Sequence, residues 1–346
     1  MSPRTSRRPP AARRQRGAAL LMALIIVTVV STLAVTMVWQ QWRAVQVETA
    51  ERARQQAAWI LTGALDWSRI ILREDALAAR RNRDDRSDHL GEPWAVPLAE
   101  ARLSTFLAVD EANAEGAPDA FLSGTIVDAQ ARYNLANLIA APDLASRKRQ
   151  YEVLQRLCTH LNLSPMVAQA MLTGLQAARP VAASAPAQGG SAPATQVADD
   201  NAPLLPQHLD QFTWFGIDLK TLKAMAPYVV LLRDQDGNPV TTSVNANTAS
   251  KEVLAAVLNV DLATAERLVQ VRQRNHFKQP TDVKDLLPAN TATDGVITTT
   301  TNFFFVTGRL RLDQQVLEQR SLVQRDINNL AVTPLSREWV SSQDPD

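Results

Sequence analysis

The chain has 346 residues, of which 46 % are hydrophobic and 21 % charged. At about 150 residues per domain this allows two or three packed units, and it excludes a disordered chain. A single cysteine, Cys158, rules out an internal disulfide and a thiolate-rich zinc or iron–sulfur site. The formal charge is +1, but residues 1–17 hold six arginines and no acid, so the remainder carries −5 and is unsuited to binding a polyanion as a whole.

Residues 18–39 contain no charged side chain. As a helix they span about 33 Å, the thickness of a bilayer core. The arginines Arg4, Arg7, Arg8, Arg13, Arg14 and Arg16 all precede this run. The positive-inside bias therefore holds residues 1–17 in the cytoplasm and sends everything after Trp39 outward. A cleaved secretory signal is the alternative. It calls for a short apolar core followed by small residues of the A-x-A kind, and no such site follows here, so the run reads as a retained anchor. Beyond it, Ala50, Ala53, Ala57, Ile60, Ala64, Trp67 and Ile71 recur every three or four residues, and no proline interrupts 18–72. This predicts one long helix with an apolar stripe, either a stem or an ordinary amphipathic core helix.

Residues 80–100 are polar and turn-rich and read as a connecting loop, with Asp84, Asp85 and Asp88 as a solvated acidic group. Strand character follows over 121–128. Residues 143–175 read as two helices, the second opened by Ser164 and Pro165 in cap and first-turn positions. The Ala-, Pro- and Gly-rich tract 177–206 buries too little apolar surface to offset its ordering entropy and reads as a linker. Helical periodicity returns over 209–225, and Asp234 to Asn238 reads as a turn. From 301 the period becomes two, with Phe303, Phe305, Thr307 and Arg309 on one side of a strand and Phe304, Val306 and Leu310 on the other. Asp313 and Gln314 form a turn before a strand over 316–325. These closing strands and the one near 121–130 predict a sheet packed on the long helix.

Residues 244–277 resemble a helix-hairpin-helix unit. Relatives that bind DNA place glycine amides of the hairpin against phosphate. This hairpin has no glycine and carries Asp261, so a structural hairpin is expected, with a membrane-anchored DNA-binding protein as the alternative. His89, His160, His208 and His276 are far apart in sequence, and no HExxH, G-x-S-x-G, P-loop or dinucleotide fingerprint occurs. No enzyme is expected.

Arg13-Arg14-Gln15-Arg16-Gly17 followed by Ala18-Ala19-Leu20-Leu21-Met22 resembles the prepilin-type leader of type IV pilins and type II secretion pseudopilins. The resemblance implies cleavage between Gly17 and Ala18 by a prepilin peptidase and N-methylation of Ala18. Most of that family carry a glutamate at the fifth mature position, where this chain has Met22. Its absence narrows the match to the K-type minor pseudopilins of type II secretion. The stretch Tyr133-Asn134-Leu135-Ala136-Asn137-Leu138 and the Asn247-Thr248-Ala249 run before a helix are also similar to that family.

The resemblance implies an α+β fold, a pilin-like long N-terminal helix packed on an antiparallel sheet with a large inserted all-α domain. The expected order is a leader (1–17), a transmembrane helix (18–39), a periplasmic stem (40–79) and a loop with the first strands (80–139). The inserted domain (140–290) and the closing strands with a tail (291–346) complete the chain. It also implies a single-pass protein of the bacterial inner membrane, largely periplasmic, at the tip of the pseudopilus. There it would take part in initiation and in protein secretion across the outer membrane. The implied partners are the I-type and J-type minor pseudopilins, the assembly platform and the prepilin peptidase, with nucleic acid not expected. Relatives often hold calcium in the inserted domain. Here residues 174–206 offer only Asp199 and Asp200, so no metal or other cofactor is assigned.

Overall fold

The computed structural model describes residues 15–82, 84–103, 120–178, 203–289, 291–312 and 315–340, with side chains at 15–17 and 315 left out. The chain divides into a unit up to Ile60 and a second from Leu61. Helix α1 (Gln15–Arg81) makes up the described part of the first unit, and its last turns lie in the second.

In the second unit α1 buries Leu61, Leu65, Leu72 and Ala76, while Trp67 is 60 % exposed. The sequence stripe through Ala64, Trp67 and Ile71 thus lies about one residue off the buried face. One residue is about 100° of helix rotation. Alternating three and four spacings occur on both faces of this segment, so periodicity alone could not choose the side that meets the sheet.

The sheet has five antiparallel strands in the order β1 (Leu98–Arg102), β2 (Ala120–Asp128), β7 (Phe303–Leu312), β8 (Gln315–Asp326) and β9 (Ala331–Val340). Strands β2 and β7 pair in unbroken register from Ala120 opposite Leu312 to Asp128 opposite Phe304. Phe304 and Val306 face the stem with Leu65, Leu72, Trp94, Val323 and Val332, and Phe303 joins Leu322 on the other face beside Val230 and Leu232. Each large side chain so buried contributes about 1.5–3 kcal/mol. Gly308 lets the helix approach, because a Cβ there would meet Leu61 Cδ2 at 3.0 Å and Ala64 Cβ at 4.0 Å. Leu98–Arg102, which overlaps the end of the loop expected over 80–100, is an edge strand. Asp313 and Gln314 lie outside the described residues, and β7 and β8 pair up to Leu312 opposite Gln315.

Between β2 and β7 the chain builds a helical layer. Its helices are α2 (Asn137–Ala140), α3 (Leu144–His160), α4 (Pro165–Ala177), α5 (Leu219–Met225), α6 (Lys251–Leu258), α7 (Leu262–Arg274) and α8 (Pro280–Lys284). A 3₁₀ segment, Leu209–Phe215, precedes α5. Ser164 caps α4 through Met166 N at 3.3 Å, as its position before Pro165 predicts. One core holds this layer, with Leu154, Leu157, Cys158, Met171, Leu175, Phe212 and Leu254 at its centre. Two short parallel pairs clip its ends: β3 (Tyr133–Asn134) with β4 (Val229–Val230), and β5 (Val244–Asn245) with β6 (Ile297–Thr298). The long helix, the antiparallel sheet and the interposed helical layer bear out the expected α+β class.

Candidate functional site

Two regions carry the residues from which a function can be argued: the apolar start of α1 and a buried polar junction where stem, sheet and helical layer meet.

Of the processing residues, Gly17 lies in the helical backbone of α1, and Ala18 and Met22 lie beyond it on exposed helix, Met22 at 67 % exposure. The rest of the leader, residues 1–14, lies outside the described residues. Leu20, Ile25, Val29, Leu33, Val38 and Trp39 are all exposed, and α1 is long and apolar enough to cross a membrane. The hydroxyls of Thr28, Thr32 and Thr36 donate to the carbonyls of Ile25, Val29 and Leu33 at 2.8–2.9 Å. Every polar side chain between 18 and 36 except Ser31 is therefore satisfied inside the helix, as lipid requires. An apolar helix with exposed sides and internally bonded hydroxyls fits a membrane anchor.

The second region corrects the sequence reading of Asp85 and Asp88 as solvated, while Asp84 is exposed as expected. Asp88 is 3 % exposed, and its carboxylate pairs with Arg325 of β8, itself 3 % exposed, and accepts from Thr301 N at 2.7 Å. Arg325 also pairs with Asp75 of α1, donates to Thr301 O at 2.8 Å and lies 4.7 Å over the Phe304 ring. Its Nε has no hydrogen-bond partner among the described groups. Glu92 closes the cluster, accepting from Trp94 Nε1 at 2.7 Å and His89 N at 2.9 Å. Asp75, Asp88 and Glu92 have carboxylate oxygens within 4.8 Å of one another. Such a trio could hold a cation, but the Arg325 guanidinium already sits against two of its members.

Burial raises Asp75 and Asp88, with Arg325 pulling against it. Glu92 is pushed up to about 8 by burial and then by the negative charge of Asp75. A neutral Glu92 keeps its proton for Asp75, with which it shares a hydrogen bond. At neutral pH Glu92 is therefore a carboxylic acid beside the Arg325 guanidinium and its two partners.

The same junction reaches into the helical layer through asparagines. Asn245 Nδ2 donates to Asp128 Oδ2 at 2.8 Å and Asp88 O at 3.1 Å, and Thr248 Oγ1 donates to Asp128 at 2.6 Å. Burial raises Asp128 to about 6 despite these donors. Asn247 clamps the Phe277 backbone, donating to its carbonyl and accepting from its N–H, both at 2.8 Å. Asn137 does the same to Thr242, at 2.9 and 3.0 Å. Asn134 donates to Val240 O at 2.7 Å and accepts from Ala136 N and Leu232 N. The two asparagine runs noted in the sequence are thus side-chain clips that satisfy buried backbone where regular ladders stop. Sequence reasoning found the runs through a family likeness; the physical signal was polar amides inside otherwise apolar stretches.

The hairpin between α6 and α7 turns on Asn259, which adopts the left-handed conformation (φ 54°) usually left to glycine. Asp261 then caps α7, accepting from Thr264 N at 2.9 Å and Thr264 Oγ1 at 2.8 Å. A carboxylate holds the helix terminus that a phosphate would take, and Arg272 is committed to Ala246 O at 2.7 Å. Arg267 likewise donates to Leu286 O at 2.5 Å. The DNA-binding alternative finds no support here.

His160 ends α3, and His208 lies 3.2 Å from Glu338. His89 and His276, distant in sequence, stack with ring centroids 3.7 Å apart.

A stem helix laid on an antiparallel sheet, with an apolar extension fitted to a bilayer, defines a membrane-anchored pilin-like protein. A family model described as type II secretion system protein K matches residues 244–301. The type II secretion system protein K of Pseudomonas aeruginosa is 28 % identical over 263 residues, covering 73 % of this chain and 71 % of that protein. The crystal structure of the GspK-GspI-GspJ complex from the type 2 secretion system of enterotoxigenic Escherichia coli contains a chain with the same fold. Its TM-score is 0.62 at 20 % identity, covering 85 % of this chain and 99 % of that one. The resemblance to the K-type minor pseudopilin family drawn from the sequence is borne out by family model, relative and fold alike.

Proposed function

We propose that the chain is a minor pseudopilin of the type II secretion pseudopilus, placed at its tip and acting in pseudopilus initiation and protein secretion across the outer membrane. The observation that carries this is the combination, in one chain, of an exposed apolar helix with a pilin-like body that interposes a whole helical layer between β2 and β7. A subunit so enlarged would obstruct another stacked above it. It would be accommodated where the filament ends, and there no later subunit needs the glutamate that Met22 replaces.

In this reading the prepilin peptidase removes residues 1–17 and Ala18 is methylated. Helix α1 anchors the chain in the inner membrane, and the body lies in the periplasm. The matched Escherichia coli protein was crystallised with GspI and GspJ. The I-type and J-type minor pseudopilins are accordingly the partners proposed for this chain, together with the assembly platform. The role is structural and non-catalytic, and no cofactor is invoked. For calcium, Asp199 and Asp200 lie outside the described residues. Asp234 Oδ1 is occupied by Asn238 N at 2.8 Å and Asp236 N at 3.0 Å, as an Asp-Gly turn requires.

The test is the intact mass of protein extracted from membranes with and without the prepilin peptidase. Loss of residues 1–17 with gain of one methyl group is expected only when the peptidase is present, and Gly17→Asp is expected to block it. A chain starting at Met1 in both preparations, or one beginning beyond Trp39, would overturn the assignment.

A further inference from the structure

His89 and His276 come from different parts of the body, His89 from the loop after α1 and His276 from the segment after α7. Their rings lie 3.7 Å apart and within 10° of parallel. His89 Nδ1 accepts from Gly91 N at 3.1 Å, so that nitrogen carries no proton while the loop holds this shape. His276 Nε2 lies 2.7 Å from Asp85 Oδ2. Asp85 also accepts from Ser87 Oγ at 2.6 Å, and Lys278 Nζ is 4.0 Å away. The same strip of backbone is tied by Asp88 N to Thr299 O at 2.8 Å and by Thr299 Oγ1 to Lys278 O at 3.1 Å.

The two rings have different surroundings. A proton on His276 faces the Asp85 carboxylate. A proton on His89 removes the acceptor that fixes Gly91 and places a charge 3.7 Å from the centre of the His276 ring. No carboxylate bonds to the His89 ring among the described residues. Glu92 meets only its backbone N–H, at 2.9 Å. We propose that the His89–His276 stack is an acid-released latch that fastens the loop after the stem to the helical layer. Burial, and then His276, hold His89 below the ordinary histidine value, with Asp85 pulling the other way. Asp85 stays ionised throughout: burial would raise it, but the Ser87 and His276 hydrogen bonds outweigh that and hold it at about 2. With the folded His89 value depressed, the unfolded or unlatched form binds more protons. The latch is therefore fully closed above the free histidine range of about 6.5 and is lost as pH falls through and below it.

Other groups around the stack titrate as well. Glu92 does so at about 8 and Asp128, beside Asn245, at about 6, while Asp88 and Asp75 are raised. The experiment must therefore separate histidine from carboxylate. Hydrogen exchange of the full chain in detergent, corrected for intrinsic rates, would be compared at about pH 7.5 and about pH 5, on either side of the histidine range. Amides of 85–91 and 275–278 are expected to lose protection at the lower pH. Those of β7 and β8 should not change. His89→Asn keeps an acceptor for Gly91 N–H and cannot be charged, so its protection should be equal at both pH values. In wild type, the midpoint of the loss should coincide with the NMR titration of His89. Retained protection at low pH, an unchanged loss in H89N, or a midpoint displaced from the His89 titration would each overturn the latch, the last two assigning the event to the carboxylates.

Discussion

Asn245 and Asp128 lie 117 positions apart, and the 2.8 Å hydrogen bond between their side chains joins β5, just before α6, to the end of β2. Asn245 is fully buried and serves three groups at once, accepting from Asn247 N at 3.0 Å and donating to Asp128 and Asp88 O. Asn245→Ala strands those partners away from water. A buried group left unpaired costs about 1–3 kcal/mol, so a loss of that size is expected in urea unfolding of the detergent-solubilised chain. Thr248→Val, which removes a single donor to Asp128, should cost less.

Arg325 is the centre of the acidic cluster. Arg325→Met leaves Asp75 and Asp88 buried without their cation, and breaking a buried pair in this way costs about 3–5 kcal/mol. Arg325→Lys keeps the charge but not the fork that reaches two carboxylates, so it should recover only part of the loss. A melting temperature equal to wild type for R325M would show that the cluster contributes nothing to the body.

Glu92 gives a pH dependence of definite sign. Its folded value of about 8 lies above the ordinary glutamate value of 4.5, so the folded chain holds a proton that the unfolded chain has released. The contribution is full below 4.5 and fades as pH rises through 8. Glu92→Gln, which can still accept from Trp94 and His89 and donate to Asp75, should match wild type in acid and exceed it in stability at about pH 9. Parallel stability curves for the two proteins across that range would contradict the assignment of a neutral Glu92.

Two glycines predict opposite outcomes. At Gly174 in α4 a Cβ would overlap the Phe215 ring, so Gly174→Ala must displace that aromatic and should cost about 1–3 kcal/mol. At Gly63 in α1 a Cβ meets nothing within 4 Å. Gly63→Ala should therefore stabilise the helix by up to about 1 kcal/mol. Thermal unfolding of both variants beside wild type reads the contrast.

Much of the architecture was legible because it rests on local rules. A charge-free run long enough for a bilayer, a Ser-Pro helix start, the Asp-Gly turn and the change to period two near residue 301 each carry their own signature, and the structure has α1, α4, the turn and β7 where these fall. The alternation of Phe303 and Phe305 against Phe304 and Val306 likewise matches the two faces of β7. The hairpin at 259–261 was legible as a turn but not in its mechanism, since Asn259 takes the left-handed position where glycine was the expected signal.

What the sequence determined by itself was the membrane-fitted helix, the order of helix, strand and helical layer, and the family likeness, all properties of neighbouring residues. The side of α1 that meets the sheet, the partial burial of Asp85 and the full burial of Asp88, and the meeting of His89 with His276 were decided only in three dimensions. A charged residue in a polar loop looks the same in sequence whether water or an arginine 237 positions away will solvate it. That choice belongs to the folded chain, because charge pairing and desolvation depend on distance through space rather than along the backbone.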